Sequence, residues 1–322
     1  MKNYSKILFM IMIMMSIILM LSSSNMMSMW MSLEINMMMF IPMMNEKNNS
    51  QGMMMYFLIQ SMASIIFMFS ILNMLNMYMN MTMSLAMFMK MGMPPFHQWF
   101  PEIMTKISWM VCFMLMTLQK IPPMMIMSQI IVNNYLNNMV IISSVVLSTI
   151  FSLNHTSIRK LMAYSSMSHS AWMIMCMKMS NKSWIMYMML YMIMMAIMCF
   201  FMTKMNIFYL NQMNTQFMTS NNKIMMMMNM LSMGGMPPFL GFLPKWITIQ
   251  LMMKSQEMFT MMIMMFMSVI TMFYYLRIMS SISLVMNTSQ KWMSMNASEK
   301  SISYMYIVMM MMPSSIFMMK LM

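Results

Sequence analysis

The sequence GMPPFHQWFP at 92–101 occurs a second time, with changes, as GMPPFLGFLP at 235–244. Gly, Met, Pro, Pro and Phe recur in the same order, and a further Pro closes both copies at the same distance. Four of the five glycines and six of the ten prolines of the chain lie in these copies or directly beside them. Because Gly tolerates unusual dihedral angles and Pro lacks a backbone donor, each copy is predicted to interrupt a helix.

The residues around both copies are almost continuously apolar, and the chain of 322 residues is 61% hydrophobic and only 7% charged. A soluble domain carries about 25% charged residues, and the apolar runs here are long enough to cross a bilayer. The chain is therefore predicted to be an integral membrane protein. In lipid, irregular backbone is tolerated only where it is buried in protein or lines a cavity, so the paired interruptions indicate a transport site.

The hydropathy pattern predicts an all-α, polytopic transmembrane helix bundle of about 11 spans. We expect one antiporter-like transmembrane domain over 1–322, with discontinuous helices near 92–96 and 234–238. The interruptions fall in the fourth and ninth spans, an odd number of helices apart, which predicts inverted repeats related by a two-fold axis in the membrane plane. Residues 1–24 have the outline of a signal peptide, but the cleavage pattern is missing and further spans follow, so they are interpreted as the first span.

Composition also argues against several classes of protein. The 82 methionines spread through the spans, which is typical of an AT-rich organellar genome that reads an extra codon as Met. The net charge of +13 comes from scattered basic residues, with no stripe that would follow a nucleic-acid backbone. Cys112, Cys176 and Cys199 lie in apolar segments at spacings that suit neither a disulfide framework nor a metal site.

Four charged residues are predicted to be buried in the membrane, where a charge at the bilayer centre costs about 2.5–3.5 kcal/mol on insertion scales. Glu34 lies at the middle of the second span, and Lys90 stands just before the first interruption. Lys120 is near the centre of the fifth span, close to a pair of prolines, and Lys245 follows the last proline of the second copy. All four are predicted site residues, although Lys90 is also placed where it can extend to an interface.

A second group of polar residues accompanies these charges. His97 lies within the first interruption, where it either lines a water-filled mouth or faces solvent. In the seventh span, Ser168 and His169 follow Ser165 by three and four residues, so the three residues share one helical face. That face is either a polar seam between helices or a path for protons and water.

These residue types suit proton transfer. A buried Lys whose carboxylate partner approaches and withdraws binds and releases a proton near neutral pH, and a row of such lysines forms a relay. The sequence contains no phosphate-binding loop, dinucleotide fingerprint or metal-ligand cluster. An ion gradient or a partner must therefore supply the energy.

Five stretches in combination resemble the chain 2 family of mitochondrial NADH:ubiquinone oxidoreductase (respiratory complex I). They are MSLEINMMMFIP (31–42), KMGMPPFHQWFPEIM (90–104), LQKIPP (118–123), LNHTSIRKLMAYSSMSHSAWM (153–173) and GGMPPFLGFLPKW (234–246). The rest of the chain after them matches only in hydropathy. The methionine content is typical of a mitochondrial gene of an invertebrate.

The resemblance implies a proton-conducting membrane-arm subunit that couples electron transfer from NADH to ubiquinone to proton translocation. By motif, Glu34 matches the family's central glutamate, and Lys90, Lys120 and Lys245 match its relay lysines. It implies no cofactor in this chain, with NADH, FMN, iron–sulfur clusters and ubiquinone in partner subunits. The expected partners are other membrane-arm and accessory subunits, membrane lipids, protons and water, but no nucleic acid, and the expected location is the mitochondrial inner membrane, which the chain crosses several times.

Two departures from the family pattern leave this relay untouched: His155 replaces an expected Gln, and Ser170 replaces a bulky residue. The alternative function is a freestanding cation/proton antiporter, which should carry several membrane carboxylates. The sequence has no Asp, and Glu34 is the one carboxylate deep in a predicted span. A passive spacer between subunits would leave the four buried charges unexplained.

Overall fold

The computed structural model describes residues 3–45, 50–73, 79–130, 135–180, 182–215 and 220–286. Every regular element within these ranges is a helix, and one isolated β-bridge joins Ser157 and Tyr209. In the described part of the chain, six helical segments are long and apolar enough to cross a membrane. The protein is therefore an α-helical, multi-pass membrane protein. The total of about 11 spans stays a prediction, because the eleventh, at 302–320, lies outside the described residues.

The helices are numbered here in chain order. They are α1 (Asn3–Ser22), α2 (Met26–Met43), α3 (Ser50–Leu72), α4 (Met79–Met91), α5 (Trp99–Lys106), α6 (Trp109–Met116), a 3-10 turn (Leu118–Lys120), α7 (Ile121–Ile130), α8 (Tyr135–Asn154), α9 (Ile158–Met179), α10 (Ser183–Met205), α11 (Leu210–Thr215), α12 (Ser220–Gly234), α13 (Phe242–Lys254) and α14 (Met258–Met286). They form two compact units, Met1–Leu147 and Ser148–Met322. The single domain over 1–322 and the two-fold relation of the repeats stay predictions.

In the first unit, α1 packs on α2, α2 on α3, α3 on α4, and α4 on α7. One face of α2 is buried through Met29, Leu33, Met37 and Phe40, which recur every three or four residues. The opposite face carries the exposed Met31 and is free for lipid or another chain. The pattern of buried and exposed residues along α2 thus determines how the helix is turned toward the core of this unit, and with it the direction in which each polar residue points.

In the second unit, α9 is the central helix, and both α10 and α13 pack against it. Its side chains are buried around the whole circumference from Leu161 to Met177. Such a helix needs small residues that let neighbours approach, and the stretch from Ser165 to Ala171 is rich in Ser and Ala. The buried hydroxyls of Ser165 and Ser170 donate to backbone carbonyls three residues earlier, which satisfies them inside the apolar packing.

Both copies of the repeated sequence lie at helix interruptions. Helix α4 ends at Met91 and α5 begins at Trp99, while α12 ends at Gly234 and α13 begins at Phe242. Gly92 and Gly235, the first residue of each copy, have φ values of 70° and 84°. In each case this Gly and the residue after it donate to carbonyls of the last helical turn, the arrangement that commonly ends an α-helix.

Candidate functional site

Lys90 lies in the last turn of α4 and is only 5% exposed. Its backbone carbonyl would normally accept from the N–H four residues later, but that residue is Pro94, which has none. Gln60 of α3 supplies the missing donor, with Nε2 3.1 Å from the Lys90 carbonyl oxygen. The interruption therefore fixes the backbone of Lys90 against α3.

The Lys90 amine itself has no hydrogen-bond partner among the described residues. Glu34 of α2 is near enough for its charge to act on Lys90, yet no direct ion pair joins them in the described part of the chain. Glu34 is partly buried within its unit. Glu34 is therefore a candidate partner that acts on Lys90 through space, while the amine stays available to a further partner.

Lys120 ends the 3-10 turn between α6 and α7 and is 2% exposed. Its Nζ lies 5.4 Å from the centre of the Phe100 ring, a cation–π arrangement. The position of Phe100 depends on the first glycine of the motif, since a Cβ on Gly92 would lie 2.8 Å from the Phe100 Cβ. The repeated motif thus helps to place the aromatic ring that faces the Lys120 amine.

Lys90 and Lys120 border one small enclosed cavity of about 10 Å³ in the first unit. It is lined by Tyr56, Gln60, Lys90, Met91, Trp99, Phe100, Leu115, Gln119 and Lys120. A water molecule needs roughly 10–15 Å³ of such space and two to four polar partners. The cavity therefore has the size and polar lining to hold about one water between the two lysines.

Lys245, at the start of α13, is 7% exposed, and its Nζ donates to the carbonyl oxygen of Gly234 at 2.8 Å. That carbonyl is available because its helical donor would be the residue four positions later, Pro238, which lacks an N–H. A Cβ on Gly235 would lie 2.9 Å from the Lys245 Nζ, so any other residue there would displace the lysine from this position. The second copy thus forms a lysine site from its own backbone.

A larger cavity of about 380 Å³ adjoins Lys245 within the second unit. Its walls are mainly apolar side chains of α13 and α14, and Trp172 of α9 borders it. The polar side chains in the lining are those of Lys245 and Ser268. Because the lining is mainly apolar, this space offers water few polar partners apart from Lys245 and Ser268.

The polar face of α9 lies against α10. His169 is 2% exposed, and its Nδ1 is 3.0 Å from the hydroxyl oxygen of Tyr187. Its ring also packs against Tyr191, with centroids 5.2 Å apart. The hydroxyl protons of Ser165 and Ser168 go to backbone carbonyls of α9, so only their lone pairs remain for other groups. These contacts form a polar seam between the two helices, and a proton path through His169 stays a prediction.

The remaining predicted residue, His97, lies in the first interruption and is 8% exposed. Its neighbours Glu102 and Lys106 are exposed, and Lys106 contacts Gln51 at 3.5 Å. His97 is therefore enclosed by protein within its unit, in contrast to the two charged residues that follow it. A water-lined mouth at His97 stays a prediction.

The structure adds residues that the sequence did not single out. Gln60 and Gln119 are uncharged polar residues in apolar segments. A search for charged residues alone does not detect them. Lys178 and Glu257 form an ion pair of 2.5 Å between the end of α9 and the residue before α14. No group of three or more His, Cys, Asp or Glu side chains within the described ranges is arranged to hold a metal ion.

Comparisons with known proteins show which family this chain belongs to. A family model described as NADH:quinone oxidoreductase/Mrp antiporter, TM matches residues 73–271. NADH-ubiquinone oxidoreductase chain 2 of Locusta migratoria is 38% identical over 305 residues, which cover 91% of this chain and 89% of the relative. The Aedes aegypti protein of the same name is 40% identical over 92% of this chain and 91% of its own length.

Two solved structures have the same fold. A chain of respiratory complex I from Thermus thermophilus with bound aureothin aligns with a TM-score of 0.80 at 16% identity, covering 96% of this chain and 76% of that one. A chain of the Mrp complex from Dietzia sp. aligns with a TM-score of 0.74 at 12% identity, covering 85% and 60%. Interrupted helices beside buried lysines, in this fold, define an antiporter-like membrane protein. Within that class, the chain belongs to the NADH-ubiquinone oxidoreductase chain 2 family.

Proposed function

We propose that this protein is a proton-conducting membrane-arm subunit of respiratory complex I in the mitochondrial inner membrane. In that assembly it couples electron transfer from NADH to ubiquinone to proton translocation. The observation that carries the proposal is the cavity that the buried Lys90 and Lys120 share. Lys90 lies in the last turn of α4, where the first copy interrupts the helix, and Lys120 ends the 3-10 turn. The NADH, FMN, iron–sulfur and ubiquinone sites belong to partner subunits, and this chain contributes the proton path.

The first step of the relay uses Glu34 and Lys90. A carboxylate close to the Lys90 amine stabilises its charged form, and a carboxylate that withdraws leaves that charge in a poorly solvated place. Because the Lys90 amine has no hydrogen-bond partner in the described part of the chain, little else stabilises its charge. Movement of Glu34 relative to Lys90 would therefore load and release a proton.

The size of this effect is sufficient for work against a membrane potential. Two unit charges about 6 Å apart at an effective dielectric constant of about 20 interact by roughly 2.8 kcal/mol. Moving one charge through 100 mV requires about 2.3 kcal/mol. The change in interaction energy when one carboxylate approaches or withdraws is thus similar to the energy needed to move one proton across the membrane potential.

The second step passes the proton to Lys120 through the shared cavity. The Phe100 ring stabilises a charged Lys120 amine by about 0.5–2 kcal/mol, less than a buried carboxylate would. Lys120 can therefore both bind a proton and release it again. In the second unit, Lys245 holds a proton against the Gly234 carbonyl and faces the larger cavity, and His169 with Ser165 and Ser168 offers a polar path on α9.

A freestanding cation/proton antiporter is not favoured, since the curated relatives at 38% and 40% identity are both complex I chains. Purification of the native protein from its membrane distinguishes the two functions. We expect it in a large assembly that holds flavin and iron–sulfur proteins, and that oxidises NADH with proton translocation. Recovery of the chain alone, with exchange of metal cations for protons in vesicles, would contradict the proposed function.

A further inference from the structure

Three uncharged polar side chains form a hydrogen-bonded chain beside the cavity of the first unit. The Nε2 of Gln119 donates to the Oδ1 of Asn36 at 3.0 Å. The Oε1 of Gln119 accepts from the Tyr56 hydroxyl at 3.2 Å. Asn36 and Tyr56 are 3% and 2% exposed. Both ends of the Gln119 amide are thus held by buried partners, which fixes the orientation of the amide.

This chain connects the helices that carry the relay residues. Gln119 directly precedes Lys120 in the 3-10 turn, and Asn36 stands two residues after Glu34 on α2. Residues two apart on a helix point in nearly opposite directions, so Asn36 and Glu34 present their side chains to different sides. The network therefore ties α2 to the 3-10 turn without engaging the Glu34 carboxylate.

Gln119 also lines the cavity between the two lysines. Its amide nitrogen carries two hydrogens, and the bond to Asn36 uses one of them. The second hydrogen is available to a water in the cavity. Such a water accepts one hydrogen bond from Gln119 and one from the lysine that is charged. Its own hydrogens then remain for the other lysine, which must be neutral to accept one of them. That arrangement aligns the water for transfer from the charged amine to the neutral one.

The chemistry of an amide adds a second effect. An amide neither takes up nor releases a proton near neutral pH, and the Tyr56 hydroxyl proton already goes to Gln119. The connection through Asn36 and Gln119 is therefore closed to protons.

We propose that Gln119 is a positioning residue that orients the water between Lys90 and Lys120. This inference rests on the proposed function and adds a residue to its relay. Gln119 acts through the water and the lysines and does not carry the proton itself.

Two variants of the intact assembly, reconstituted in vesicles, test this inference. Gln119→Met keeps the length of the side chain but removes its hydrogen bonds, and we expect proton translocation about tenfold slower, the equivalent of one lost hydrogen bond. Gln119→Glu keeps the shape and adds a titratable group. When protonated, the new carboxyl has one donor in place of the two of the Gln amide, so it can donate to the water or to Asn36 but not to both. When ionised, it only accepts, and it pairs with the Lys120 amine.

The Gln119→Glu assembly should therefore pump best at low pH, where the carboxyl keeps one donor, and lose activity as the pH rises through the pKa of the new carboxyl. The parent assembly should lack this limb of the pH profile. A purely structural role for Gln119 would not produce it. Tyr56→Phe removes only the donor to Oε1 and should slow translocation with an unchanged pH profile.

A pH profile of Gln119→Glu that parallels the parent, or a Gln119→Met assembly that pumps at the parent rate, would overturn the inference. If Gln119→Met fails to assemble, the near-isosteric Gln119→Glu and Tyr56→Phe variants decide the question. Lys120→Met separates this inference from the proposed function. If Lys120→Met stops pumping while both Gln119 variants behave as the parent, the relay stands and the role of Gln119 falls. If Lys120→Met pumps normally, the relay itself fails.

Discussion

Replacing Gly235 by Ala should displace Lys245 from its carbonyl partner. The new Cβ would lie 2.9 Å from the Lys245 Nζ and 3.0 Å from its Cδ, so the side chain must move. The φ of 84° is also unfavourable for any residue with a Cβ. This strain costs about 1–2 kcal/mol, and loss of a hydrogen bond from a charged group costs about 1.5–3 kcal/mol.

The two costs affect different properties. The strain lowers the stability of the subunit, whereas the lost hydrogen bond from Lys245 to Gly234 alters the relay and corresponds to roughly a 10- to 150-fold loss of rate. The assay is proton uptake into vesicles that contain the purified assembly, measured against NADH oxidation in the same sample. We expect Gly235→Ala to reduce uptake far more than it reduces the amount of assembled complex.

Gly234→Ala is the matched control for this prediction. Its Cβ would meet the Met272 Sδ at 2.5 Å, and the end of a flexible thioether side chain moves aside at little cost. The Gly234 carbonyl would still accept from Lys245. Equal proton uptake by the two variants would refute the reasoning that Gly235 makes room for the lysine.

Two further predictions concern contacts that hold the units in shape. Glu257→Gln removes the carboxylate that pairs with Lys178, whose side chain is 4% exposed. It should lower stability by about 1–3 kcal/mol, since Glu257 is partly exposed. The exchange of both residues, Lys178→Glu with Glu257→Lys, should recover most of the loss in a thermal dissociation assay, and no recovery would argue against the pair. Gln60→Leu should destabilise the first unit by about 1–3 kcal/mol because the carbonyl at the end of α4 loses its donor. The exposed Gln51→Leu is the control, and an equal effect in the same assay would exclude that explanation.

The sequence predicts the helix interruptions because their causes are local. Pro94 and Pro238 lack a backbone N–H whatever surrounds them, and the glycine that begins each copy allows the left-handed conformation that ends the preceding helix. The three buried lysines and the partly buried Glu34 can also be predicted, since a charge in a long apolar run is unusual in any membrane protein. Local chemistry alone therefore gives the elements and the candidate residues.

The arrangement of the site cannot be predicted in this way. The partner of the Lys90 carbonyl is Gln60, thirty residues earlier, and the Phe100 ring reaches the Lys120 amine from another helix. The cavity that Lys90 and Lys120 share exists only when α3, α4 and the 3-10 turn pack together. A single chain carries no local signal for these contacts, because they depend on which helix faces pack against each other.

The central claim is that a proton passes through Lys120, and the number of protons translocated per NADH oxidised tests it most directly. Lys120→Met matches the volume of the side chain but binds no proton, and Lys120→Arg keeps a positive charge that is not released near neutral pH. Lys106→Met, at an exposed position of the same unit, is the control. We expect both Lys120 variants to assemble and to lose most proton translocation, whereas Lys106→Met keeps the parent ratio. A parent ratio of protons to NADH in either Lys120 variant would contradict the relay.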